Sequence, residues 1–292
     1  MIRKEVGIEQ FVPPRALYQD IVRAALMEDV GHGDITTACT IDPEESTSAK
    51  IVAKEPGVLA GLFVAREAFL QMDPEARFPI SIAEGTLFDK GSVLLEIRAG
   101  TNPILMAERV ALNFLQRLCG IATLARQYCR ETEGTKCRVV GTRKTTPNMR
   151  ILEKYAVRAG GCLNHRFSLS DGILIKDNHI AACGNITRAV QAARQNAPHG
   201  LKIEVEVTSQ EEMKEAVAAG ADAILLDNMD PAEIREALQA ARQMAPSILV
   251  EASGGITLKN VRQFAETGVD ILSSGELTHS FKSIDLSLKI KL

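Results

Sequence analysis

Eight lysines and arginines and a single acid, Glu153, lie between Lys136 and Arg166 of a chain whose net charge is -3. So much charge of one sign repels itself, and it makes sense where a strongly anionic group sits in its midst. Arg143 and Lys144 follow the β-branched run RVVGT, His165 and Arg166 stand in a loop, and Lys176 ends the run ILIK. Arginine offers a planar fork to carboxylates, and lysine a point charge to phosphates. The plain alternative is a solvated basic surface. It is weakened because these charges recur at strand ends rather than along one helix face. Arg150, Lys154 and Arg158 do recur at helical spacing, and they read as an outer helix face rather than as ligands.

Two carboxylates and two small-residue turns follow. Glu206 and Asp227 end the runs IEVEV and AILLD among apolar neighbours. They suit Mg²⁺ or ribose hydroxyls beside a phosphate; the alternative is a pair of structural salt bridges to the same cations. Glu204 shares the parity of Glu206, so in a barrel strand both face the interior, with Glu206 nearer the mouth. Asn228, Asp177 and Asn178 extend this polar rim. Ser253-Gly254-Gly255 follows one strand, and Ser273-Ser274-Gly275 follows the last. Either alone reads as a turn. As a pair after the last two strands they point to phosphate, through backbone N–H groups and helix N-termini. Of five histidines, His165 and His279 are placed to reach such a site. His32 suits a turn or interface, and His199 a loop. There is no HExxH, GxSxG or Walker loop, and no GxGxxG after a first strand.

The elements that must position these residues change style along the chain. Residues 1–100 mix a helix near Arg15–Glu28, a Gly-rich link DVGHGDITT, strand-like pieces (Ser48–Ala53, Gly57–Ala60, Pro79–Ile82, Ser92–Ile97) and a helix near Leu62–Met72, which suggests an α+β unit. After a long helix-period stretch from about residue 104, about six strand runs end near Thr142, Lys176, Glu206, Asp227, Glu251 and Ser273. Helices with clear start signals lie between them. Ser209 with Glu212, Asp230 before Pro231, and Thr257 each open one, and Gly220 and Gly268 mark two ends. Repeated right-handed βα units make an open parallel sheet or a barrel, with the polar residues at the strand C-termini as a barrel's active face requires.

The 292 residues suit one large domain, or one plus a smaller one. Hydrophobic residues at 46% and charged residues at 24% are those of a soluble globular protein. No apolar run is long enough for a membrane span, and MIRKEVGIEQF has no signal-peptide core. The six cysteines show no metal spacing and read as thiols in a reducing cytoplasm. The mildly acidic balance and an aromatic content of 4% argue against a nucleic-acid binder.

The runs TRKTTP, NHR, LIKDNH, EVEV, ILLDN, EASGGI and GELTHS, with EDVGHGDITT and AERVALNFLQRLCGIAT upstream, resemble the quinolinate phosphoribosyltransferase family, decarboxylating enzymes of NAD biosynthesis. The resemblance spans roughly residues 20–285. It implies an α/β fold: an N-terminal α/β sandwich domain (residues 1–112) and an incomplete (β/α) barrel (113–280), with the tail of about 281–292 returning to the first domain. It also implies a homodimer, sometimes assembled further, with shared active sites to which Arg109 reaches from the partner. Arg143, His165, Arg166 and Lys176 would surround quinolinate, with Thr142 beside them. Lys144 would serve the phosphates of phosphoribosyl pyrophosphate (PRPP), and Glu206 and Asp227 would hold Mg²⁺ and the ribose. Ser253, Gly254, Gly255, Ser273, Ser274 and Gly275 would take the 5′-phosphate, with His279 nearby. Lys144, Lys176, Glu206 and Asp227 would carry the catalytic roles. Three positions depart from the family pattern. Asn148 stands where glycine is usual, and Ser274 and Glu276 flank Gly275 where small apolar residues are usual; Glu276 is expected to point to solvent. Competing readings are a phosphoribosyltransferase for another acid such as nicotinate, a molybdenum-associated paralogue, and a non-catalytic sensor of phosphorylated ligands. Arg143, Arg166 and Lys176 together favour a dicarboxylate. The carboxylates argue against a sensor, because they weaken anion binding unless a metal or a cationic transition state uses them.

Overall fold

The structure is a computed structural model that describes residues 8–290. Residues 1–7 of the expected first domain and 291–292 of the expected tail lie outside the described residues. The chain divides into two units, one of residues 8–126, 145–161 and 280–290, the other of 127–144 and 162–279.

The first unit contains helices α1 (Gln19–Val30), α2 (Ile35–Thr40) and α3 (Leu62–Met72), and strands β1 (Ser46–Ala53), β2 (Gly57–Val58), β3 (Arg77–Ser81), β4 (Leu87–Phe88) and β5 (Val93–Gly100). Alternating burial in β1 sends Ala49, Ile51 and Ala53 to the core. The stretch read as a Gly-rich link is partly helical. Asp34 accepts the Thr37 amide at 3.0 Å and so caps α2. Helix α4 (Thr101–Glu131) runs unbroken for 31 residues and carries the chain into the second unit. Residue 112 lies inside it.

Strands β6 (Arg138–Gly141), β7 (Leu163–Asn164), β8 (Ile173–Ile175), β9 (Ile203–Val207), β10 (Ala223–Asp227), β11 (Leu249–Ser253) and β12 (Ile271–Ser274) form a parallel sheet of the second unit, in the order β7-β6-β12-β11-β10-β9-β8. The strand missing from the sequence count is β7, which at two residues has no periodicity to read. The two edges do not pair, so the barrel is incomplete. The covering helices are α6 (Asp177–Cys183), α7 (Ile186–Asn196), α8 (Gln210–Ala218), α9 (Pro231–Met244), α10 (Val261–Ala265) and α11 (Glu276–His279); α5 (Arg150–Ala159), between β6 and β7, belongs to the first unit. Ser209 accepts the Glu212 amide to start α8, and Asp230 with Glu233 forms a capping box on α9. The start expected at Thr257 is a turn, in which Asn260 accepts the Thr257 amide at 2.7 Å, and α10 begins only at Val261.

Strand β13 (Leu286–Ile290) completes the first unit's sheet, antiparallel to β1 from Ala53–Leu286 to Ala49–Ile290. In α5 the expected outer basic face is absent. Lys154 is buried, and Arg158 lies over the Phe11 ring at 3.6 Å. The buried Glu153 accepts Arg117 Nε at 3.0 Å, so the single acid in the basic stretch is an internal ion-pair partner.

Candidate active site

One cavity of about 740 Å³ opens at the C-terminal ends of the parallel strands, within the second unit. That volume suits small-molecule ligands. Thr142, Arg143 and Lys144 reach it from the end of β6, His165 and Arg166 from the end of β7, and Lys176 from the end of β8. In a flat sheet the edges β7 and β8 would stand about 29 Å apart, at about 4.8 Å per strand. A shared cavity therefore requires the sheet to curl. Between these edges Glu206 and Asp227 come from β9 and β10, and the two small-residue turns from β11 and β12. Four cations and four acids line the cavity, the further acids being Glu251 and Glu276, so the cationic cage of the sequence reading is charge-segregated rather than simply basic.

Two charges at the mouth are already engaged. Lys176 Nζ donates to Glu206 Oε2, and Asp227 accepts Asn228 Nδ2 at 2.7 Å. Arg166 Nη1 donates to the Gly172 carbonyl at 3.1 Å. Burial, with Arg143 adding to it, lowers the pKa of Arg166. Glu204 and Asp171 oppose that shift without cancelling it. Asp177 and Asn178, expected on the rim, open α6 and are not among the lining residues. Arg109 is exposed on α4 and is likewise not among them.

Tyr128 joins the two small-residue turns. Ser274 Oγ donates to the Ile256 carbonyl at 2.9 Å, and the Tyr128 hydroxyl lies 3.2 Å from Ser274 Oγ and donates to Glu276 Oε2 at 2.7 Å. Glu276 is therefore half-buried and held at the cavity wall, not turned to solvent as expected. Gly254 and Gly255 have φ of 90° and 61°, and a Cβ on Gly254 would lie 2.2 Å from Asn228 Oδ1. A Cβ on Gly275 would lie 2.8 Å from His279 Nε2 and 2.9 Å from Lys144 Cδ. The first turn thus needs glycine for its conformation, and at the second a side chain would displace His279 and Lys144. The helices that follow have five and four residues, so the helix-end contribution is small and the turn amides are the groups that could donate to an anion.

Deeper in the barrel, His165 Nε2 lies 3.0 Å from Glu204 Oε2 and 3.6 Å from Glu251 Oε2. The Arg166 amide donates to His165 Nδ1 at 2.8 Å. Hydrogen bonding to Glu204 raises the pKa of His165 against its burial. The amide bond needs a lone pair on Nδ1 and so favours the neutral ring with its proton on Nε2, facing Glu204. Protonation of Nδ1 would break a 2.8 Å bond, so the neutral ring is the form this geometry holds. Burial, followed by the neighbouring Glu204, lifts Glu251 to about 7. Sequence reasoning passed over Glu251 as a strand end. The signal it carried was an acid inside an otherwise apolar buried strand.

Residues 34–119 match the family model described as Quinolinate phosphoribosyl transferase, N-terminal domain, and residues 121–289 match its C-terminal domain. The chain belongs to the quinolinate phosphoribosyltransferase family. It is 47% identical to a probable nicotinate-nucleotide pyrophosphorylase (carboxylating) of Bacillus subtilis, over 91% of each chain. With the human nicotinate-nucleotide pyrophosphorylase (carboxylating) it shares 38% identity, over 97% of this chain and 95% of that one. The crystal structure of NadC from Streptococcus pyogenes matches with a TM-score of 0.91 and 42% identity, over 96% of this chain and 98% of that one. Asn148 has a φ of 63°, a left-handed conformation that asparagine tolerates better than other side chains.

Proposed function

We propose that this chain transfers the phosphoribosyl group of PRPP to quinolinate and decarboxylates the adduct, giving nicotinate mononucleotide, pyrophosphate and CO₂ on the route to NAD. The observation that carries the reading is the sorting of one cavity in a member of this family. Cations stand at both sheet edges, carboxylates on β9 and β10, and glycine turns on β11 and β12. These suit, in that order, a pyridine dicarboxylate, a ribose and a 5′-phosphate.

Arg143 and Arg166 clamp the quinolinate carboxylates, with Lys176 and Thr142 beside them. Ser253, Gly254, Gly255, Ser273 and Gly275 take the 5′-phosphate, next to His279. The hydroxyl of Ser274 already donates to Ile256, so its part is to hold the turn. The pyridine nitrogen attacks the anomeric carbon as pyrophosphate leaves, and positive charge grows on the ribose. Glu206 and Asp227 stabilise that charge, and Lys144 offsets charge on the leaving group. The ring nitrogen becomes cationic and acts as an electron sink, so the adjacent carboxylate departs as CO₂. Holding two anionic substrates in register supplies much of the rate.

The oxygen donors of Glu206 and Asp227 fit the Mg²⁺ that accompanies PRPP. Asp227 fits directly, whereas Glu206 must share its carboxylate with Lys176. When bound, the ion would neutralise phosphate charge and help to position the pyrophosphate. We also infer a homodimer or higher assembly in which Arg109 enters the partner's site, supported by its exposed place on α4. A cytoplasmic location is inferred from the cysteine pattern. No helix among the described residues is long and apolar enough to cross a membrane.

The test is turnover by purified protein with PRPP and Mg²⁺, on quinolinate and on nicotinate. Equimolar nicotinate mononucleotide and CO₂ from quinolinate, abolished by EDTA, is the expected result. Turnover of nicotinate alone would overturn the dicarboxylate assignment.

A further inference from the structure

Decarboxylation leaves an electron pair on a pyridine carbon, and the reaction as derived names no group that supplies the proton. Glu251 lines the cavity yet is only 1% exposed, and neither carboxylate oxygen has a hydrogen-bond partner of normal geometry. It shares the parity of Ser253, one pleat (about 6.6 Å) below the phosphate turn. Two strands away, on β9, Glu204 stands one pleat below Glu206, which pairs with Leu225 as Glu251 does. The one N–H of His165 lies between the two deep carboxylates, nearer Glu204 at 3.0 Å than Glu251 at 3.6 Å. A single proton cannot satisfy both acids, and a buried carboxylate without a donor is costly. With the His165 N–H nearer Glu204, the economical arrangement leaves Glu251 uncharged, with its own O–H. A carboxylic acid held neutral by its surroundings is a competent donor.

We propose that Glu251 is the general acid that returns a proton to the pyridine carbon exposed by decarboxylation, an inference that rests on the phosphoribosyl-transfer reading. The bond between that carbon and the carboxylate breaks, its electron pair stays on the carbon beside the cationic nitrogen, and CO₂ leaves. The Glu251 O–H bond then breaks towards the carbon, and the carboxylate left behind regains a proton from water entering the emptied cavity. The groups facing Glu251 agree with a proton at this place. Glu204 from β9 raises its pKa, with burial the larger cause, while His165 after β7, Ser273 of β12 and Lys176 after β8 oppose. Leu225 of β10 and Ile271 of β12 pair with it and carry no charge. Cys137, before β6, is itself pushed up to about 12 and stays a neutral thiol. His165, Glu204 and Glu251 also place three donor atoms within 4.8 Å of one another, as a cation site would. A divalent ion there would face four cations lining the same cavity, and it would leave the proton of the reaction unassigned.

The experiment compares wild type and Glu251→Gln in steady-state turnover of quinolinate across pH, with thermal melts of both. The expected result is a folded variant with both KM values within about twofold of wild type and kcat reduced at least about tenfold. Wild-type kcat should fall as pH rises through neutrality, and that limb should be missing in the variant. Unchanged kcat in the variant overturns the proposal, as does an equal loss at every pH with the alkaline limb retained. If the variant does not fold, the wild-type profile decides, and a kcat that holds level above neutrality overturns it. Failure of wild type to form nicotinate mononucleotide is the separate failure of the function itself.

Discussion

Arg166 and Asp227 face the same cavity with opposite tasks, and their substitutions should separate in kinetics. On the proposed function Arg166 serves binding, so Arg166→Ala should raise the quinolinate KM about ten- to a hundredfold, the loss of one or two charged hydrogen bonds, while the KM for PRPP stays near wild type. Asp227 is only half-buried, and in the proposed mechanism it acts where cationic character develops. Asp227→Asn should therefore lower kcat about a hundredfold or more with little change in melting temperature. An unfolded variant would make the carboxylate structural instead. Glu251 differs from both, because its neutral form is the one the fold prefers. Its folded pKa lies above that of the unfolded chain, so it favours the native state below the usual carboxylate range, and that stability is lost as pH rises through about 7. Wild type should lose more melting temperature than Glu251→Gln on passing from mildly acidic to mildly alkaline buffer.

The turns after β11 and β12 look alike in sequence but are constrained differently. At Gly275 the atoms a methyl would meet are the ends of flexible side chains, His279 Nε2 and Lys144 Cδ. Gly275→Ala should fold normally and displace Lys144, raising the KM for PRPP about tenfold. At Gly254 the neighbours include the Asn228 backbone nitrogen at 2.8 Å, and φ is already 90°. Gly254→Ala should cost about 1–3 kcal/mol of stability, visible in a melt before any assay. Elements also explain where the sequence misled. The basic positions of α5 have helical spacing, yet buried Lys154 shows that spacing alone does not say which side of a helix meets solvent. Glu276 looked free to turn outward because its partner, Tyr128, lies 148 residues away.

At the scale of the whole molecule, the proposed role of Arg109 predicts complementation between two inactive variants. If Arg109 completes a neighbouring copy's site, Arg109→Ala and Asp227→Asn should each be nearly inactive alone. Mixed after dissociation and reassembly, they should recover about a quarter of wild-type activity, because half the dimers would then carry one intact site. A mixture no more active than its parts would confine Arg109 to its own subunit.

Arg143, Lys144, Lys176, Glu206 and Asp227 were legible in the chain because each ends a β-branched run. In a parallel sheet with short loops all strand ends lie on one face, so local pattern implies common location. The same logic found the paired glycine turns and the helix starts at Ser209 and Asp230. Tertiary structure alone decided the curl that brings β6 and β8 to one cavity, the two-residue strand β7, and the engagement of Glu276 by Tyr128. It also decided the meeting of His165, Glu204 and Glu251, which come from three strands separated in sequence. The physical reason is that strand periodicity gives a side chain's face and depth, whereas the protonation of a buried acid depends on what other strands bring within about 4 Å of it.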